Sequence, residues 1–147
     1  MRSSIKLHIL TIGKPKLAYA AAGWQEYFKR LERLHSVRST QLSDKFAYDA
    51  EKFLESAGSA YKVVLEITGS QLTSEQLAAF LQKRELESRE VCFIIGGPEG
   101  LPEQVRAAAD YQLSFSKLTF PHDLAMVVLL EALYRASTIN ARLPYHK

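Results

Sequence analysis

Val91-Cys92-Phe93-Ile94-Ile95-Gly96-Gly97-Pro98-Glu99-Gly100 decides how this chain is read. Five consecutive apolar residues suit a strand covered by helices on both faces, and the glycines end it. A second apolar stretch, Leu113-Ser114-Phe115-Ser116, leads through Lys117-Leu118-Thr119-Phe120-Pro121-His122 into a long apolar helix. Each strand end is thus followed by a loop and a helix. In parallel α/β proteins such loops gather on one edge of the sheet, where ligands bind. That edge is the expected cofactor site.

Outward from this stretch, strands and helices alternate. Ile5 to Ile12 reads as a strand, ended by Gly13-Lys14-Pro15. Ala20, Trp24, Tyr27, Phe28, Leu31 and Leu34 then form one helical stripe, with Glu26, Lys29, Arg30 and Arg33 opposite. Val37 to Leu42 is a weak strand. Asp44 is expected to cap a helix through Ser56, with Phe46, Ala50, Phe53 and Leu54 inward and Gly58 as its stop. Tyr61 to Ile67 reads as a third strand ended by Thr68-Gly69-Ser70, and Thr73 with Gln76 forms a capping-box pattern before Leu77, Phe80 and Leu81. Pro102 suits the first turn of the next helix. Tyr111 to Phe115 is the fifth strand, and the last helix spans about His122 to Asn140. The alternation predicts one α/β domain over residues 1–147, with a mostly parallel sheet and helices on both faces.

Composition sets the class. Of 147 residues, 47% are hydrophobic and 24% charged, ordinary values for a globular chain. The longest apolar run, Leu124 to Leu130, is too short to span a bilayer, so no membrane is expected. Lys6 and His8 interrupt any secretory apolar core behind Arg2. The lone Cys92 sits within a strand, which excludes an internal disulfide and suggests a reducing, cytoplasmic setting. Residues 1–38 hold eight Lys/Arg against two acids, whereas the remainder holds eleven against fourteen. A basic N-terminal part suits a polyanionic partner such as nucleic acid, or forms a solvated helix face.

The loops narrow the chemistry. Gly96-Gly97-x-x-Gly100 lacks the spacing of a dinucleotide fingerprint, since Pro98 stands two residues after Gly96, and no Gly-Lys-Ser/Thr follows. The glycines offer bare backbone for a flat ligand or simply a tight turn. No Gly-x-Ser-x-Gly elbow is present and Cys92 is mid-strand, so nucleophilic catalysis finds no candidate. His122, Arg135, Arg142, Tyr145 and His146 crowd the C-terminus without metal-ligand spacing. Together they suit gripping a phosphate and orienting a base. The last helix is apolar on nearly all sides over its first two turns, which asks for burial in its own domain or in a symmetric dimer.

Four segments together resemble the RlmH family of SPOUT-class RNA methyltransferases. They are Ile94 to Leu101, Leu113 to His122, Leu129-x-Glu131-x-Leu133-Tyr134-Arg135-Ala136, and Pro144-Tyr145-His146-Lys147. The resemblance covers essentially the whole chain. It implies an α/β fold whose C-terminal segment threads a deep trefoil knot, a topology no general rule would propose. It implies S-adenosylmethionine held by Leu65, Gly96, Phe115, Ser116, Lys117, Leu118, Thr119 and Phe120. It further implies a homodimer with its active site at the subunit boundary, methylating N3 of a pseudouridine in 23S rRNA on the assembled ribosome. Tyr145, His146 and Arg135 are then the catalytic candidates, with His122 behind them, and Lys29, Arg30 and Arg33 would grip rRNA phosphates. Two departures stand out. Met126 occupies a position where many members carry Arg, and the connection after the second strand is short. The Met126 departure motivates the alternative of a non-catalytic ribosome- or RNA-binding module with the same fold.

Overall fold

The computed structural model describes residues 4–146. Five strands and five helices alternate: β1 (Lys6–Ile12), α1 (Ala18–Glu32), β2 (Ser36–Leu42), α2 (Ala50–Ala57), β3 (Tyr61–Gln71), α3 (Ser74–Leu86), β4 (Val91–Ile95), α4 (Glu103–Ala107), β5 (Tyr111–Ser114) and α5 (His122–Ala141). The sheet order is β2-β1-β4-β3-β5 and each neighbouring pair is parallel.

Parallel strands force each connection across a face, and one handedness of crossover decides which face. The steps from β1 to β2 and from β3 to β4 run one way along the sheet; the other two run the opposite way. The helices sort accordingly. Residues of α1, α3 and α5 close one core with Leu7, Ile9, Val63 and Phe93, and α2 and α4 close the other with Leu10, Val64 and Ile94. Every residue of β4 is buried, because helices cover both its faces.

Four local expectations need correction. The segment after β2 is not one helix capped by Asp44. Asp44–Phe46 form a single 3-10 turn, closed by bonds such as Phe46 N–H to Ser43 O at 2.9 Å. The helix proper starts at Ala50, where Asp49 accepts from Lys52 N–H at 3.0 Å and so satisfies an open donor of the first turn. Phe53 is fully buried, while Phe46, Ala50 and Leu54 are only partly so.

Secondly, β3 does not end at Ile67. It bulges between Leu65 and Ser70, and Ser70 and Gln71 resume pairing with Leu113 and Ser114 of β5. Gly69 permits this, because a Cβ there would lie 2.7 Å from the Gln112 backbone. Thirdly, β5 stops one residue early, at Ser114. Its hydroxyl donates to the Ser116 carbonyl at 3.0 Å and folds the chain into a turn before Phe115 can pair. Fourthly, Pro102 stands at the N-cap of α4 rather than inside it, while the capping box of Thr73 and Gln76 forms.

Among the described residues, α5 is the one helix long and apolar enough to cross a membrane, with mean hydropathy 1.3. Counting uninterrupted apolar residues overlooked it. Met126, Leu129, Leu130 and Leu133 are wholly buried against α1, α3 and the sheet. Gly23 of α1 lets the two helices approach, since a Cβ there would touch Val127 at 3.0 Å. Leu124 and Val128, one turn apart and outside both core clusters, stay half-exposed.

Candidate active site

The carboxyl ends of β3, β4 and β5 open onto a cleft of about 380 Å³, a size suited to a small organic ligand. Three segments line it: Leu65 to Ile67, Ile95 to Leu101, and Leu113 to Phe120, the last without Lys117, with His122 and Ala125 closing one side. Seven of the eight residues expected to hold the cofactor therefore border one cavity. Lys117 lies in the same loop but is not part of the wall.

The glycine loop is built by backbone approach. Gly100 N–H donates to Gly97 O at 2.9 Å, and Gly100 takes φ +88°, where side chains are strained. A Cβ on Gly96 would lie 2.7 Å from the carbonyl carbon of Gly100. So the glycines serve a tight turn, one of the two readings of this loop. In the facing loop, Ser116 Oγ accepts from Leu118 N–H at 3.0 Å, which bends the chain around the cleft.

The first turn of α5 is pinned to the far end of the sequence. His122 Nε2–H donates to the Ile12 carbonyl at 2.9 Å. Buried Asp123 accepts from the backbone N–H groups of Lys16 and Leu17 at 2.8 and 2.6 Å. These bonds seat His122 beside the cleft.

The other candidates meet elsewhere. Glu131 accepts from Arg135 Nη2 at 2.7 Å and from the Tyr145 hydroxyl at 2.9 Å. The Tyr145 oxygen lies 3.1 Å from that of Tyr27, and its ring packs against Tyr134. Arg135 sits 4.8 Å from the Tyr145 ring centre and reaches His146 Nδ1 at 3.4 Å. His146 Nε2 meets Glu75 at 2.9 Å. Desolvation first, then the bonds to Tyr27 and Glu131, push the Tyr145 phenol above its ordinary range. Tyr145 is therefore a hydrogen-bond donor at neutral pH, not a base. Arg135, Tyr145 and His146 form one cluster, yet none of them borders the cleft of their own chain. Arg135 stands thirteen positions after His122 on α5, about 20 Å along the axis.

The basic helix is divided. Lys29 and Arg33 are exposed. Arg30 is instead tied to Glu26 at 2.7 Å and lies over the rings of Tyr27, Tyr134 and Tyr145. Trp24 is buried against Phe28, as an anchor of the core. Met126 has no exposed surface, so an apolar thioether fills that position by packing. Cys92 is buried and its thiol is pushed up to about 12 by desolvation, which leaves it inert. Among the described residues, no three His, Cys, Asp or Glu side chains converge to hold a metal.

Sequence reasoning missed Glu66 and Glu99 in the wall of the cleft. Glu99 was readable from its place between two glycines. Glu66 was not, because strand alternation puts it on the opposite side from Leu65, toward Arg106 of α4, and only the folded sheet edge shows the cleft bordered from both sides.

The description "Predicted SPOUT methyltransferase" belongs to a family whose pattern matches residues 5–146. A Deinococcus radiodurans protein named "Ribosomal RNA large subunit methyltransferase H" is 46% identical over 145 residues, covering 97% of this chain and 99% of that protein. The chain belongs to the RlmH family of SPOUT methyltransferases. A family member of the same name from Thermus thermophilus is 41% identical over 143 residues, again covering 97% and 99% of the two chains. Among solved structures, a probable methylase family protein from Haemophilus influenzae shares the fold. Its TM-score is 0.62 at 11% identity, over 97% of this chain and 71% of that one. The α/β architecture and the family expected from the four motifs are thus both established.

Proposed function

We propose that this SPOUT methyltransferase transfers a methyl group from S-adenosylmethionine to N3 of a pseudouridine in 23S rRNA of the assembled ribosome. One observation carries the choice of ligand. The cleft wall contains two glutamates and one histidine but no Lys or Arg, in a chain of net charge +3. A phosphate-bearing nucleotide would find no counter-charge there, whereas a cationic adenosine derivative finds carboxylates. The Gly96 to Gly100 backbone and the Phe115 to Phe120 loop, with Leu65, would hold it. When bound, that donor supplies an electrophilic methyl on a sulfonium. The names of the relatives support ribosomal RNA as the acceptor.

The chain's own residues then have defined work. N3 of a uracil-like ring loses its proton as it attacks. Arg135 offers positive charge to the anionic ring, Tyr145 donates a hydrogen bond once its one O–H turns from Glu131, and His146 offers its unprotonated ring nitrogen for the proton. Within one chain these groups stand apart from the cleft. A homodimer in which the tail of one subunit reaches the cleft of the other joins them, and the half-exposed apolar side of α5 supports such a contact. The deep trefoil knot belongs to the same proposal. Its support is that the loops after β4 and β5 share one cavity while α4 and α5 lie on opposite faces. Lys29 and Arg33 would meet rRNA phosphates. The chain would act as a single domain, in the cytoplasm, without membrane or metal.

Ribosomes lacking the modification, incubated with the protein and methyl-labelled S-adenosylmethionine, should acquire label in 23S rRNA at one pseudouridine. Ribosome binding with neither donor binding nor transfer would instead mark a non-catalytic ribosome binder.

A further inference from the structure

Glu66 is one of the two acidic side chains of the cleft that no expectation covered. It borders the cavity, yet only 16% of its side chain is exposed. Its ion-pair partner, Arg106 of α4, stands 3.9 Å away, beyond hydrogen-bond reach, and is itself 42% exposed. Burial raises the Glu66 carboxyl and the distant guanidinium only partly opposes it. A desolvated carboxylate with so loose a partner is under-satisfied. The cavity is the place from which a stronger one can come. Glu99, the other acid of the wall, is exposed and screened by solvent.

The donor and its product differ in charge. S-adenosylmethionine carries one net positive charge at neutral pH. S-adenosylhomocysteine, left after transfer, is neutral overall because the sulfonium has become a thioether. A carboxylate at the wall therefore acts on the two ligands unequally, and the more so for being desolvated.

Resting on the cofactor reading above, we infer that Glu66 is a specificity-determining residue that makes the cleft prefer the cationic methyl donor over its neutral demethylated product, with Arg106 moderating the preference. The negative wall attracts the incoming donor and loses that attraction once the charge has gone. Product release is thereby favoured without any moving part.

Calorimetry of the full-length protein tests this with three probes: S-adenosylmethionine, S-adenosylhomocysteine, and sinefungin, whose amine carries a positive charge near the sulfonium position. Glu66→Gln should reduce the preference for the donor over the product about three- to tenfold. Affinity for the product should stay within about twofold, and sinefungin should follow the donor. Arg106→Gln removes the competing cation and should shift the preference the opposite way. A simple folding defect cannot produce both shifts. Equal weakening of all three ligands, or an unchanged ratio in both variants, overturns the inference while leaving the cofactor reading intact. If the unaltered protein binds none of the three, the cofactor reading fails first, and this inference with it.

Discussion

The Tyr145 hydroxyl donates to Glu131 Oε2 at 2.9 Å, so the C-terminal tail is latched to the middle of α5. Glu131 also holds Arg135, and one carboxylate thus orients both groups assigned to the acceptor base. Because Tyr145 is held protonated, transfer should show no alkaline limb from this phenol below about pH 10. Tyr145→Phe should slow transfer about 10- to 100-fold while donor affinity is retained. Single-turnover rates beside calorimetry check this, and an unchanged rate removes Tyr145 from the chemistry.

Deleting residues 144–147 extends the test. Arg135 and the cleft would remain, but the hydroxyl and imidazole would go. Donor binding should stay within about twofold and transfer should fall at least about 100-fold. Full turnover by the shortened chain would show that the tail has no catalytic part.

Gly96 and Gly97 are neighbours with opposite tolerance. An alanine at Gly96 would press on the Gly100 backbone at 2.7 Å, and backbone cannot swing aside as a side chain can. Gly96→Ala should cost about 1–3 kcal/mol and abolish donor binding. At Gly97 the nearest atom is the Ala47 Cβ at 3.6 Å, an ordinary contact. Gly97→Ala should change stability by less than about 0.5 kcal/mol. Thermal melts and calorimetry on the pair distinguish the two.

His35 ties the end of α1 to α5 in one tautomer. Its Nδ1 accepts from Ile5 N–H at 3.1 Å, and its Nε2–H faces Ser137 Oγ at 2.8 Å. The Ser137 proton is already given to the Leu133 carbonyl at 2.7 Å. A second ring proton has no place, and burial lowers the imidazole to about 4 from 6.5. The unfolded chain thus binds the proton first as pH falls. The stability from neutral His35 is complete above pH 6.5 and is lost as pH drops toward about 4, by about 3 kcal/mol at most. Denaturant melts across that window should show the slope, and His35→Gln should flatten it.

Cys92 offers a simple probe of the sheet. Fully buried in β4 and pushed up to about 12, it should resist thiol reagents at neutral pH until the chain unfolds. Rapid labelling of native protein would contradict the core position of β4.

By itself the sequence determined the element order, the parallel sheet and the family. Those features rest on local patterns: the apolar run of β4, the glycine turn, the Thr73–Gln76 box and the helical stripe of α1. Contacts distant in sequence belonged to the tertiary structure alone. The bulge of β3 needs β5 beside it to resume pairing, and only the folded edge of the sheet brings Glu66 to the cleft. The bond from His122 to Ile12 spans 110 residues. Likewise, Tyr145, His146 and Arg135 are close in sequence to the loop that forms the cleft, yet the length of α5 carries them away from it. A helix has a fixed rise, so sequence proximity to a site does not guarantee presence in it.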